Sequence, residues 1–213
     1  MTTTKITTLF LDIGGVLLSN GWQHEFRVAA ATKFNLDISE LEKRHSLMFV
    51  TFEEDRITME EYLNRVVFHK KRDFSAHEFR DYMFSLTTPH PEMITLIKKL
   101  KQSYGLKIVA VSNEARELND YRIQRFGLHT FIDFFISSCF VQMRKPDTTI
   151  FKMALDTAQV RPDQVIYIDD VQLFVDVATD LGIESICHSD YFSTGKALAV
   201  LGLPINPESN QYV

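Results

Sequence analysis

Four places in the chain set chemically capable side chains beside apolar runs. Asp12 closes the run Ile6–Leu11 and is followed by Ile13, Gly14 and Gly15. Ser112 and Asn113 follow the run Lys107–Val111, and Asp169 and Asp170 follow Val165–Ile168. Arg144, Lys145 and Pro146 come just before an amphipathic stretch. Three carboxylates brought together cannot all stay ionised without a cation, because like charges at short range force a proton on or a metal in. The donor set is all oxygen, without His or Cys, and such sets select a hard ion, Mg²⁺ rather than Zn²⁺. A lysine, a hydroxyl and free backbone N–H groups beside that ion form a cradle for an anion. The chemistry that fits is phosphoryl transfer, with a carboxylate attacking phosphorus and an aspartyl-phosphate formed and hydrolysed. Gly14 and Gly15 then have a reason: the turn after Asp12 must aim N–H groups at the anion, and glycine allows both the turn and a close approach.

The elements that must position these residues are readable from the apolar pattern. Ile6–Leu11, Lys107–Val111, Val165–Ile168 and Glu184–Cys187 are short, β-branched and bounded by polar or turn residues, as buried parallel strands are; Phe134–Ser137 is a weaker fifth. Pro91–Tyr104, Asp147–Ala158 and Val171–Leu181 carry apolar residues on one helical face, and the first has proline at its start and Gly105 after its end. Alternating strands and helices predict an α/β fold, a Rossmann-like parallel sheet covered on both faces, with its site at the carboxyl ends of the strands. Residues 20–87 have a different texture. Gln23–Phe34, Ser39–Phe49, Thr58–Phe68 and Ser75–Ser85 are helical in period, and Thr58 with Glu61 reads as a capping box. The expected organisation is a core made of residues 1–19 and 88–204, an inserted helical cap domain at 20–87, and a loose tail at 205–213. Thr87–Pro91 is the expected return hinge.

Composition bounds the partners. The 213 residues carry 23 basic and 28 acidic side chains, a formal net charge of −5. That balance argues against a nucleic-acid binder, which needs a basic face. It leaves room for an anionic substrate, since a metal and a few cations reverse the field locally. No 18-residue apolar window suggests a membrane span, and MTTTKITT lacks the apolar core of a secretory signal. Cys139 and Cys187 are expected as reduced, mostly buried thiols of a cytoplasmic protein.

DIGGVL, VSN, RKPD and YIDD, in this order, resemble the four motifs of the haloacid dehalogenase-like superfamily, and they run from Asp12 nearly to Gly182. A helical insert between the first two motifs resembles the C1 caps of that superfamily, as does the segment FEEDRITMEEYL. The resemblance implies a Mg²⁺-dependent phosphatase acting on a small phosphorylated metabolite, a sugar phosphate by default. It implies Asp12 as nucleophile and metal ligand, and Lys145 as the cation that neutralises nucleophile and phosphate. Ser112, Asn113, Gly14 and Gly15 would bind the phosphate. Asp169, Asp170 and the Gly14 carbonyl would complete the metal site, and the cap would close over it and choose the leaving group.

Two positions depart from the family pattern. Gly14 stands where a second aspartate commonly serves as acid and base, help worth roughly 10²–10⁴-fold. Phe174 stands where Asn is frequent. His24 and Glu25 are the nearest titratable candidates, in sequence, for the missing group. Gly14 also keeps open a protein that binds phosphate and Mg²⁺ for regulation. A metal-free dehalogenase is a third reading, opposed by the Asp169–Asp170 pair. Each motif alone has a plainer use: Asp12 as a strand-end turn residue, Asp169–Asp170 as a cap for Val171–Leu181, Lys145–Asp147 as a helix start, and Ser112–Asn113 as a cap for a helix from Glu114. Met together at four strand ends, the plainer uses become the weaker explanation. The remaining histidines, His69, His77, His90, His129 and His188, are read as surface or packing residues. The phenylalanines of the insert are read as its core, Trp22 and Phe26 as either entrance or anchor, and Asp55–Arg56 as a solvated turn.

Overall fold

The computed structural model describes residues 6–204. Five strands, β1 (Thr8–Leu11), β2 (Lys107–Ser112), β3 (Phe134–Ser137), β4 (Val165–Asp169) and β5 (Glu184–Cys187), form one parallel sheet in the order β3-β2-β1-β4-β5. β1 is central, with Leu11 opposite Ala110 on one side and Ile168 on the other. This register brings the ends of β1, β2 and β4 to one edge, so Asp12, Ser112 and Asp169 leave the sheet side by side.

The insert supplies α1 (His24–Lys33), α2 (Ile38–Glu53), α3 (Met59–Val66) and α4 (Ala76–Ser85). The rest of the chain adds α5 (Pro91–Tyr104), α6 (Arg116–Arg125), α7 (Ser138–Val141), α8 (Thr148–Ala158), α9 (Gln172–Asp180) and α10 (Tyr191–Val200). Strand side chains alternate between faces, which gives the sheet two cores. Leu9, Leu11, Ile108 and Ile166 pack with Met93, Ile97 and Leu100 of α5 and Leu198 of α10. Phe10, Val109, Val111 and Tyr167 pack with Ile150, Phe151 and Ala154 of α8 and Ala178 of α9. A third core lies among the inserted helices, around Phe52, Tyr62, Leu63, Phe79 and Met83, and reaches Ala115 and Leu118 at α6. The two crossings into and out of the insert lie together. Ser19 N–H donates to the Thr88 carbonyl at 2.8 Å, and His90 N–H to the Leu17 carbonyl at 2.8 Å.

The differences from the sequence expectations have physical causes. The second inserted helix continues past Phe49 to Glu53, since nothing in Val50–Glu53 breaks a helix; the chain turns only at Asp55, at φ 56°. α6 has no apolar stripe to read, because its buried face includes Asn119 and Arg122. α10 is likewise unheralded; its start is capped by the Asp190 carboxylate, which accepts from the Ser193 N–H at 2.9 Å. Thr58 and Glu61 do form the capping box. Cys139 is buried, whereas Cys187 is exposed, a correction to the expected pair of buried thiols. β5 is an edge strand, and within it only Ile186 is buried. The expected tail at 205–213 lies outside the described residues.

Candidate active site

Asp12 is placed by the sheet itself. Its N–H donates to the Ile168 carbonyl at 2.9 Å, continuing the β1–β4 ladder by one residue. Its Oδ1 accepts from the Ile13 N–H at 2.7 Å, and its Oδ2 lies 3.0 Å from Lys145 Nζ. The side chain is buried, and burial pushes its carboxyl up to about 6, against the pull of Lys145.

Asp169 and Asp170 point to different work. Asp169 is fully buried. Its Oδ2 accepts from Lys145 Nζ at 2.5 Å and from the Tyr167 hydroxyl, and its Oδ1 accepts from the Val171 N–H at 2.8 Å. Asp170 Oδ2 accepts from Asn20 Nδ2 at 3.0 Å, while its buried Oδ1 has no hydrogen-bond partner. A buried carboxylate oxygen left unpaired is costly and needs an explanation. Among the described residues, Asp12, Asp169 and Asp170 each offer an oxygen, and these oxygens lie within 4.8 Å of one another. The donor set and the orphaned oxygen together fit a hard divalent cation. Gly15 shows how tightly the turn is fitted: at φ 71°, a Cβ there would lie 2.1 Å from Asp170 Oδ2. A Cβ on Gly14 would meet Asn20 Oδ1 at 2.9 Å.

Lys145 is the cation of the site and is fully buried. Burial works against its charge, but Asp12 and Asp169 outweigh burial and raise its pKa, so the ammonium persists. Phe174, the departure from the family pattern, puts its ring 4.9 Å from the ammonium, a cation–π contact. Asn113 braces the same residue from both ends of its amide. Nδ2 donates to the Lys145 carbonyl at 2.9 Å, and Oδ1 accepts from the Lys145 N–H at 2.9 Å. Its side chain is therefore engaged with the lysine loop. The Ser112 hydroxyl is buried and makes no sound hydrogen bond, although it is near enough to help the Asp12 carboxylate electrostatically. It is the uncommitted donor at the strand ends. Asp147, by contrast, does cap α8, through Oδ1 to the Thr149 N–H at 2.8 Å.

Over this edge lies a cavity of about 350 Å³. Asn20 and Asn113 border it from below, and Trp22, His45, Phe49 and Glu53 from the insert. Trp22 Nε1 donates to the Tyr62 hydroxyl at 2.8 Å, and that hydroxyl meets His45 Nδ1 at 2.7 Å. Burial lowers the His45 pKa to about 4, with the Arg27 charge adding to the effect, so its ring is neutral. Among the described residues, three ion pairs join the insert to the rest of the fold, the longest between Arg80 and Glu117 of α6 at 3.8 Å. Arg144 donates to Glu53 Oε2 at 2.7 Å, and Arg116 to Asp55 Oδ2 at 2.9 Å. Asp55 thus meets α6, while Arg56 pairs with Glu54.

The structure gathers Asp12, Gly14, Gly15, Ser112, Asn113, Lys145, Asp169 and Asp170 at one edge. It leaves His24 and Glu25 away from it: His24 bonds Glu42 on an exposed face, and Glu25 is exposed. His69, His77 and His188 bond Glu40, Asp81 and Thr194. Sequence reasoning missed His45, Tyr62, Asn20 and Tyr167. Of these, only Tyr167 carried a signal, an alternate-position neighbour of Asp169 on a strand.

A model of the haloacid dehalogenase-like hydrolases matches residues 6–172. Flavin mononucleotide hydrolase 1 of Arabidopsis thaliana is 27% identical over 166 residues, covering 78% of this chain and 66% of that one. Phosphorylated carbohydrates phosphatase of Thermotoga maritima is 28% identical over 148 residues, 68% of this chain and 63% of its own length. The chain thus spans about two thirds of these relatives. A crystal structure of a HAD family enzyme, bt-2542 from Bacteroides thetaiotaomicron, in complex with magnesium and inorganic phosphate, superposes with a TM-score of 0.72 at 21% identity. That superposition covers 86% of this chain and 94% of the other, and it is a likeness of fold. No helix among the described residues is long and apolar enough to cross a membrane.

Proposed function

Because this chain belongs to the haloacid dehalogenase-like hydrolase family, we propose that it is a Mg²⁺-dependent phosphomonoester hydrolase with Asp12 as its nucleophile. The observation that carries the reading is the pairing of unfilled groups around Asp12: an orphaned carboxylate oxygen on Asp170 and an orphaned hydroxyl on Ser112, with the buried Lys145 ammonium 3.0 Å away. One orphan suits a cation and the other an oxyanion. Asp12, the Gly14 carbonyl and Asp170 Oδ1 would hold the metal, with Asp169 supporting the set from its bonds to Lys145, Tyr167 and the Val171 N–H. The metal, when bound, supplies positive charge against the phosphoryl oxygens.

The chain's own groups do the rest. Lys145 keeps Asp12 ionised and lowers the repulsion between a carboxylate and an incoming phosphate. Ser112 donates to a phosphoryl oxygen, and the turn at Gly15 lets backbone N–H groups approach it. The Asp12 carboxylate attacks phosphorus, the P–O ester bond breaks, and the alcohol leaves. Water then attacks the aspartyl-phosphate, releasing phosphate and restoring the carboxylate. Gly14 offers no carboxyl to protonate the departing oxygen, so solvent supplies that proton and turnover is slow for strongly basic alcohols. The helical insert acts as the cap that excludes bulk water and selects the alcohol.

Phosphate release from p-nitrophenyl phosphate and a panel of metabolite monophosphates, with Mg²⁺ or with EDTA, tests this. Turnover that needs Mg²⁺ and disappears in Asp12→Asn supports it. Gly14 favours a second reading, a binding or regulatory protein with the same pocket. If the native protein is silent across the panel while Gly14→Asp turns over, that second reading replaces the first.

A further inference from the structure

Building on the phosphatase reading, we infer that His45 is the specificity-determining residue of the cavity. It offers a fixed, neutral Nε2–H donor that selects monophosphates of uncharged polyols or sugars against substrates with a second anionic group. The tautomer follows from donor and acceptor inventory. The Trp22 indole N–H can only donate, so at 2.8 Å the Tyr62 oxygen accepts from it. The Tyr62 hydroxyl proton then goes to His45 Nδ1, 2.7 Å away. A hydrogen on Nδ1 would leave the buried Tyr62 hydroxyl hydrogen without an acceptor among the described residues, so the pairing assigns the imidazole hydrogen to Nε2. Tyr62 is fully buried and stacked on Phe52 at 4.1 Å between ring centroids, so the relay is held rigidly.

The charges around the cavity set the class of ligand. Among the described residues Arg27 is the one arginine or lysine that borders it, and its charge is matched by Glu42. Its Nε and Nη2 donate to Glu42 at 2.8 and 2.9 Å, and its Nη1 to the Trp22 carbonyl. The two bordering carboxylates are each matched: Glu53 by Arg144 and Glu114 by the buried Arg122. The cavity therefore has no free cation for a second phosphate or a carboxylate, and no free anion for an amine. What it does offer is a donor on His45, acceptors on Glu53 and Glu114, and the aromatic faces of Trp22, Phe49 and Phe52. Hydroxyls both donate and accept, and a sugar's C–H face packs on rings. A buried hydrogen-bonding set of this kind rejects a partner that leaves it unpaired.

Binding and turnover separate this inference from the reaction it rests on. Asp12→Asn protein with Mg²⁺ is titrated by calorimetry with a hexose monophosphate, a hexose bisphosphate and a phosphoglycerate. The hexose monophosphate is expected to bind at least about 10-fold more tightly than either of the others. Adding His45→Leu to the same protein weakens that ligand by about 10-fold, one net hydrogen bond, and His45→Gln, whose amide N–H can occupy the Nε2 position, restores most of it. Imidazole ¹⁵N shifts report the Nε2–H tautomer in the native protein and a mixture in Tyr62→Phe. Equal or tighter binding of the bisphosphate or the phosphoglycerate overturns the inference, as does an Nδ1–H tautomer in the native protein. A native protein that releases no phosphate, from an Asp12→Asn form that shows the preference, overturns the hydrolase and leaves the specificity intact.

Discussion

The floor and the roof of this site are built on opposite plans. The floor is charged and buried: Asp12, Lys145 and Asp169 sit within 3.0 Å contacts at the ends of strands whose register is set by a central parallel ladder. The roof is aromatic and modular: Phe34, Phe68, Phe74, Phe79 and Trp22 pack edge and face around a small core of their own. A buried charge tolerates no change of partner, because its loss leaves the others uncompensated. An aromatic core tolerates repacking, because dispersion and burial are not directional. On the proposed function, reaction chemistry is therefore assigned to the floor and substrate choice to the roof.

That division can be broken or sharpened. The largest effect is expected at the floor. Lys145→Met leaves Asp12 and Asp169 as neighbouring buried acids, and it should lower kcat by about 10³-fold or more and cost about 3–5 kcal/mol of stability. Steady-state kinetics and urea unfolding measure the two parts, and near-native activity would refute the role given to the lysine. Phe79→Ala, at a fully buried ring in the roof, should cost about 3–4 kcal/mol. Its mark on the kinetics should fall on KM more than on kcat; a collapse of kcat alone, with the protein still folded, would show that floor and roof are not separable.

A smaller effect concerns acid. His45 titrates near 6.5 when unfolded and near 4 when folded, since burial and the neighbouring Arg27 disfavour its cation while Glu42 only partly offsets them. The folded state thus binds fewer protons between those values. The stability it confers is complete above about 6.5 and is lost as pH falls toward 4, by at most about 3 kcal/mol. Thermal melts of native and His45→Gln protein across that window should converge as pH falls; parallel curves would mean the ring is not held neutral. The smallest change is Thr58→Ala, which removes the capping box of α3 and should cost about 1 kcal/mol with no change in turnover.

What could be read from the chain and what could not divides along the same line. Asp12, Ser112 and Asp169 sit at the ends of strands whose apolar runs are visible, and Lys145 lies in the loop before the amphipathic α8, so the parallel sheet and their meeting followed from local pattern plus one rule about strand ends. The capping box of α3 and the proline-led α5 were legible for the same reason, since their signals are a few residues long. α6 was legible only as a helix start near Glu114, because its inward face carries Asn119 and Arg122, and Arg122 is buried for its bond to Glu114 rather than for any apolar period.

The division of labour between Asp169 and Asp170 was beyond any local signal as well. Both are aspartates in one dipeptide, and only the turn at Gly15, the reach of Asn20 and the position of Tyr167 leave one carboxylate filled and the other with an open oxygen. The cavity is the extreme case. Trp22 and Tyr62 lie outside α2, which carries both His45 and Glu53, and no spacing along the chain relates these three segments. Local sequence specifies backbone state and the chemistry available at each strand end. Which donor faces which acceptor across the roof is decided by side-chain packing between elements, where a relay such as Trp22–Tyr62–His45 exists only once the helices have closed around it.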